Sequence, residues 1–268
     1  MASFSVVNNV ASANAQANLV ETSHGLQKAL NRLSSGLRIN NSGDDAAGLA
    51  VANNYRSTVA VLNQGVRNAG DGLSTLQIKD GALNNISNLL DRLSTLATQA
   101  ASSSSTVDRT KLNTEFKSIV SEIDREATVA SLNAATTFSV FVSNDGVNGT
   151  VGGSIARADT AAAGLNIATA TVDTAFNAAA AVASVATAIG LLGTSQGNVG
   201  ALENRLQFAI GLANSQAVNN KAAESRIRDA NVAEESANMT RYNILTQSGI
   251  AALSQANQSS SSVLSLLR

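Results

Sequence analysis

The chain has 268 residues, no proline, cysteine or tryptophan, only 3% aromatic residues and a formal net charge of −1. Without cysteine there is no disulfide, thiol chemistry or thiolate metal site. The even mixture of 18 basic and 19 acidic residues leaves no electrostatic footprint for nucleic acid or an anionic membrane.

The missing prolines remove the commonest helix breaker, and abundant Ala, Leu, Gln and Arg favour long helices. The fold class expected is therefore mainly α: long antiparallel helices in a coiled-coil-like bundle, with a small central β hairpin. The opening MASFSVVNNVASANAQANL lacks a basic region followed by a continuous apolar run, so no cleaved signal peptide is expected. No stretch is read as a membrane span.

In chain order, residues 1–34 form a terminal helix in which Leu26, Leu30 and Leu33 step by four and three, the seam spacing of a coiled coil. Gly36 is a helix stop, within a linker at 35–45. Ser42, three residues before Asp45, matches a capping box opening the next helix. The adjacent Asp44 and Asp45 are read as helix-terminus groups and not as an acid–base pair.

Residues 46–133 are the first part of a rod. Leu62, Val66, Leu73, Leu76, Leu90 and Leu93 follow heptad spacing, and the helix from Asp45 to Ala100 would be roughly 80 Å long. Gly65, Gly70 and Gly72 lie inside it without the strand or Lys-Ser/Thr ending of a phosphate loop. Close packing in a lattice is the expected reason for them. After ASSSST, Ser105 and Asp108 give a second capping-box match, and Phe116 and Ile119 mark the apolar face of a short return helix.

The pattern changes at 134–172. Residues TTFSVFVSNDGVNGTVGGSI contain a turn-forming Asp145-Gly146, which predicts a hairpin, and GLNIATATV suggests a further short strand. Heptad spacing returns over 173–228, with Leu202 and Leu206 on the core face. Asn231 caps a last helix over 229–268, carrying Leu245, Ile250 and Leu253 and ending in Val263, Leu264, Leu266 and Leu267.

This nested order puts the two ends together, so the N-terminal leucines are expected to pack against the C-terminal apolar residues. Two such Asn/Ser-rich helices bury little area alone. Self-association is the expected remedy.

His24, the one histidine, has no second histidine or cysteine to complete a dyad or metal set and is read as solvated. The chain is accordingly read as a non-enzyme without metal or cofactor. Arg226 and Arg228 are read as a solvated or ion-paired helix face.

The blocks ALNRLSSGLRINNSGDDAAGLAVANNYRS (29–57) and SRIRDANVAEESANMTRYNILTQSGIAALSQANQSSSSVLSLLR (225–268) resemble the two signature regions of bacterial flagellins. The resemblance spans about 1–133 and 176–268, and fits a short form without large outer domains. It implies a subunit that polymerises into the extracellular flagellar filament for swimming motility, with the terminal helices forming an inner tube.

It further implies passage through the flagellar export apparatus, an export chaperone on 229–268, and contact with filament cap and junction proteins. Arg92 and Leu96 in DRLSTLATQ, with Glu115 in TEFKSIVSEIDR, match the stretch through which a Toll-like receptor recognises flagellins. The alternatives are a hook–filament junction protein of the same kind, and a secreted ligand or adhesin read by an innate immune receptor. The hairpin departs from the family pattern, since TTFSV stands where many relatives have Asn-Gly after the Phe.

Overall fold

The computed structural model describes residues 8–102 and 108–266, with the side chains of Val147 and residues 260–266 not described. Among the described residues there are five α-helices: α1 (Val10–Ser35), α2 (Ala46–Ala101), α3 (Arg109–Val129), α4 (Ala175–Arg228) and α5 (Val232–Leu266). Between α3 and α4, β1 (Thr136–Phe141) pairs antiparallel with β2 (Thr150–Ile155), Thr136 facing Ile155 and Phe141 facing Thr150.

Local chemistry sets the helix ends. Asn9 accepts the Ser12 amide at 3.0 Å, Asp108 accepts that of Lys111, and Thr174 accepts that of Asn177 at 3.1 Å. Gly36 closes α1 in the left-handed conformation, φ 71°, donating its amide to the Arg32 carbonyl. This conformation carries no Cβ penalty in glycine.

The cap of α2 differs from the expected box. Because the helix starts at Ala46, Asp45 is itself the capping residue and accepts the Gly48 amide at 2.8 Å. Ser42 lies one turn too early to do so. Ser105, the other expected box residue, is outside the described residues.

The chain divides into two compact units: Met1–Ser57 with Asn219–Arg268, and Thr58–Val218. The division falls inside α2 and α4, whereas sequence pattern puts the rod boundaries at 45/46 and 228/229. In the second unit Leu62, Leu76, Leu90, Leu93, Phe116, Leu202 and Leu206 are buried in one apolar cluster, with Val66, Leu73 and Ile119 packed against it. Burial of this seam, at about 25 cal/mol per Å² of apolar area, is what holds the long helices in place.

The segment 156–174 adds Ala158, Leu165, Ile167 and Val172 to the same cluster. It forms no strand, correcting the expectation for GLNIATATV. Its anchor is Asp124, whose carboxylate accepts both the amide and the hydroxyl of Thr160 at 2.9 and 2.8 Å. Asp145 and Gly146 do not form a two-residue turn either. They lead into a short 3-10 helix, Gly146–Gly149, which lengthens the hairpin loop.

Lys79 fixes the entry to the hairpin. Its buried ammonium donates to the carbonyls of Ala130 and Ser131 at 3.1 and 2.9 Å, holding the end of α3. Burial pushes the lysine's pKa down.

Two expectations are corrected by packing. Helix α4 is long and apolar enough to cross a membrane on length and composition, although no such stretch was expected. Alanine supplies that apolarity, and one face of the helix is seated in the cluster through Val185, Ala188, Leu192 and Val199.

Gly65 and Gly72 have an intrachain reason and need no lattice. A Cβ on Gly65 would fall on the carbonyl oxygen of Val142, and one on Gly72 would meet the Val140 side chain at 2.7 Å. Gly70 faces open space. Gly65→Ala is therefore expected to destabilise the chain by about 2 kcal/mol through overpacking against backbone. Gly70→Ala is expected to stabilise it by up to about 1 kcal/mol, both read by denaturant melting of the free chain.

Candidate self-assembly interface

The first unit is built on α1 packed against α5. A Cβ on Gly25 would lie 2.6 Å from the Tyr242 ring, and one on Gly249 would lie 2.9 Å from the Leu19 methyl. Each glycine is a hole for a large side chain on the opposite helix, so the two backbones approach closely. Ala29 is buried on the same seam.

Polar groups continue the seam at both ends. The Asn9 amide donates to the Ala256 carbonyl at 3.0 Å, and the Ser12 hydroxyl donates to Asn257 at 2.9 Å. Toward the other end, the Arg32 guanidinium pairs with the buried carboxylate of Glu235 at 2.9 Å, with 23% and 9% of the two side chains exposed.

The chain crossing between helices is locked by backbone bonds. The Arg38 amide donates to the Arg228 carbonyl at 2.7 Å and the Ala230 amide to the Gly36 carbonyl at 2.9 Å. Ile39 is buried beneath this joint, and Arg228 reaches the Ile39 carbonyl. The sequence reading of Arg228 as a solvated or paired charge missed this bond to backbone.

Asp44 pairs with Lys28 at 2.7 Å and accepts the amides of Asn40 and Asn41. The Lys28 ammonium, helped by these amides, holds the carboxyl at about 2.

The seam is offset from the leucine series. Leu26 and Leu33 are half-buried, whereas Leu30 is 46% exposed, and on α5 Leu253 is half-buried while Leu245 and Ile250 are 44% and 56% exposed. Intrachain packing uses Gly25, Ala29 and Arg32, one residue back from Leu26, Leu30 and Leu33, together with Leu19 in the same heptad position as Leu26. Leu30, Leu245 and Ile250 are thereby left on the flank. Val263, Leu264 and Leu266 have undescribed side chains, and Leu267 is outside the described residues.

Between the two helices runs an open groove of about 730 Å³, lined by Leu19, Glu21, His24 and Lys28 on α1 and by Leu245 and Ser248 on α5. His24 faces no second histidine there. Among the described residues no group of three or more His, Cys, Asp and Glu is placed to hold a metal ion.

In the other unit, Arg92 and Glu115 meet. The guanidinium donates Nε and Nη2 to one carboxylate oxygen at 3.0 and 2.6 Å, on an exposed surface. Leu96 does not share that surface. It is 1% exposed and belongs to the apolar cluster.

Sequence reasoning missed Gly25, Gly249, Arg32 and Glu235. A glycine inside an otherwise regular helix is the signal that could have found the first two. The ion pair joins positions about 200 residues apart and leaves no local trace.

The paired terminal helices thus make a helical protein that keeps Leu30, Leu245 and Ile250 exposed on their flank. The profile of the bacterial flagellin N-terminal helical region matches residues 6–141, and that of the C-terminal helical region matches 182–267. The chain is 35% identical to the flagellin of Halalkalibacterium halodurans, covering 97% of this chain and 98% of that one. It is 36% identical to flagellin FlaB2 of Treponema pallidum, with the same coverage. A crystal structure of Bacillus cereus flagellin aligns with 59% of this chain and 94% of that one, at 27% identity and a TM-score of 0.48. The chain belongs to the bacterial flagellin family.

The Asp44 contacts give a pH dependence of defined sign. Its carboxyl is held below the ordinary 3.8 at about 2, so its stabilisation is complete above 3.8 and is lost as pH falls through the lower value. Hydrogen exchange at Asn40 and Asn41 is expected to accelerate over that window, and Asp44→Asn should show the faster exchange already at neutral pH.

Proposed function

We infer that this chain is the structural subunit of a bacterial flagellar filament, assembling with copies of itself to transmit motor torque for swimming. The observation that carries the reading is the flagellin match at both ends of the chain, on the very helices that pair and leave Leu30, Leu245 and Ile250 exposed. Contacts between different patches that do not close into a ring build an open helical polymer. The terminal helices α1 and α5 form its inner tube, and the helices between them its outer layer.

The chain's work is non-covalent, and it acts without a catalytic site, metal or cofactor. It leaves the cell through the flagellar export apparatus without a cleaved signal peptide. An export chaperone covers 229–268 before assembly, and cap and junction proteins meet the subunits at the two filament ends. The absence of disulfide-forming residues suits a chain that is threaded unfolded.

Purified chain added to short filament seeds is expected to extend them, while a version ending at Ala230 is not. Electron microscopy reads the result. Failure of the full chain to extend seeds would favour a junction protein.

A second reading rests on the Arg92–Glu115 pair, held on the surface, with Leu96 buried one turn further along α2. This pair is the element an innate Toll-like receptor contacts. Arg92→Ala with Glu115→Ala should lower receptor signalling by about tenfold or more, the loss of a charge-assisted pair. Seed extension should be retained.

A further inference from the structure

The seam between α2 and α4 carries a line of polar groups along its edge. Gln196 on α4 donates its side-chain amide to the Asn84 side-chain oxygen on α2 at 3.2 Å, and the Asn84 amide donates to the Asp80 carboxylate at 3.2 Å. Glu203 follows Gln196 two turns further along the same face of α4. The two helices run antiparallel here, since Leu206 lies against Gly72 while Gln196 reaches Asn84. Glu203 and Asp80 therefore come to the same level of the seam.

Glu203 has no donor to meet it. Its Oε1 is buried and without a hydrogen-bond partner, beside the buried Val199 and Leu202. The charged group that faces it from α2 is Asp80, which repels it. Nearby cations are directed elsewhere: the Lys79 ammonium to the carbonyls of Ala130 and Ser131, and the Arg205 guanidinium to the Gly152 carbonyl at 2.8 Å. Strands β1 and β2 contain no charged residue. A buried carboxylate oxygen without a donor is costly while charged. A proton removes the charge and supplies an O–H donor.

We propose that Glu203 and Asp80 form a carboxyl pair that takes up one proton from water and shares it across the seam, a clamp between α2 and α4 that tightens as the medium turns acid. Proton uptake converts the repulsion between two anions into an O–H···O⁻ hydrogen bond, which is of the strong, charge-assisted kind. Burial first, and the like charge of Asp80 second, push the Glu203 carboxyl above its ordinary 4.5. Groups this closely coupled titrate as a pair. The clamp works within the free chain and is independent of the filament reading.

Its sign is opposite to that of Asp44. A carboxyl raised in the folded chain contributes its full stabilisation below 4.5, and this is lost as pH rises through the folded value. Asp108, Glu122 and Asp173 are held below their ordinary values by hydrogen bonds, so they, like Asp44, weaken the fold only in more acid solution. The interval between neutral pH and 4.5 separates the pair from these groups.

The test uses the full chain. Carboxyl-carbon NMR is expected to show Glu203 and Asp80 titrating together, with the Glu203 midpoint above 4.5. Amide protection at Leu76 and Leu202, buried on the two sides of the seam, is expected to rise as pH falls from neutral to 4.5, once the intrinsic exchange rate is divided out. Glu203→Gln, which keeps the site neutral at every pH, should remove that rise and start from the higher level. Asp80→Asn should shrink it, because burial still acts on Glu203.

A Glu203 midpoint at or below 4.5 would overturn the proposal, and this is read on the parent chain, so it decides even where a variant fails to fold. An equal rise in Glu203→Gln and in the parent chain would overturn it as well. So would a rise that Asp80→Asn leaves at full size, which would assign the effect to burial of Glu203 alone.

Discussion

A helix with apolar residues on more than one face cannot be satisfied by one neighbour, and this constraint governs the whole chain. In the unit Thr58–Val218 the leucine seam of α2 is covered by α3, the hairpin and one face of α4. In the unit formed by the two ends, α1 covers one face of α5. Each unit closes one seam and leaves another. For a chain with few aromatic residues and no disulfide, the remaining stabilisation has to come from further copies, which is the behaviour of a filament subunit.

The two seams are closed by different means. The larger unit uses branched and aromatic side chains around Phe116 and Leu90, with the backbone of the hairpin lying directly on Gly65. The terminal pair uses glycine holes, Tyr242 over Gly25 and Leu19 over Gly249, together with the Arg32–Glu235 ion pair. Glycines give close approach at the cost of helix propensity. The terminal pair therefore depends strongly on packing. A buried pair leaves an uncompensated charge when its partner is removed, so Arg32 and Glu235 fix which register of α1 on α5 is acceptable.

Exposure of Leu30, Leu245 and Ile250 alongside this tight seam separates two jobs that the sequence pattern had merged. The small residues hold the helices of one chain together. The larger aliphatic residues Leu30, Leu245 and Ile250 stay exposed on the flank, outside that seam.

Much was legible in the sequence because helices announce themselves locally. Heptad spacing located α2 and α4, Gly36 marked the end of α1, Asn231 marked the start of α5, and Leu62, Phe116 and Leu206 were identified as core from periodicity alone. The signature blocks carried the family. What tertiary structure decided are the features that join distant residues: the pairing of Gly25 with Tyr242 and of Gly249 with Leu19, the Arg32–Glu235 pair, the burial of Leu96 in the core, and the hairpin seated on Gly65. The segment 156–174 follows the same rule, reading locally as a strand but held irregular by Asp124 and the core beneath it. Periodicity records which faces of a helix are apolar, and only packing selects which apolar face meets which neighbour.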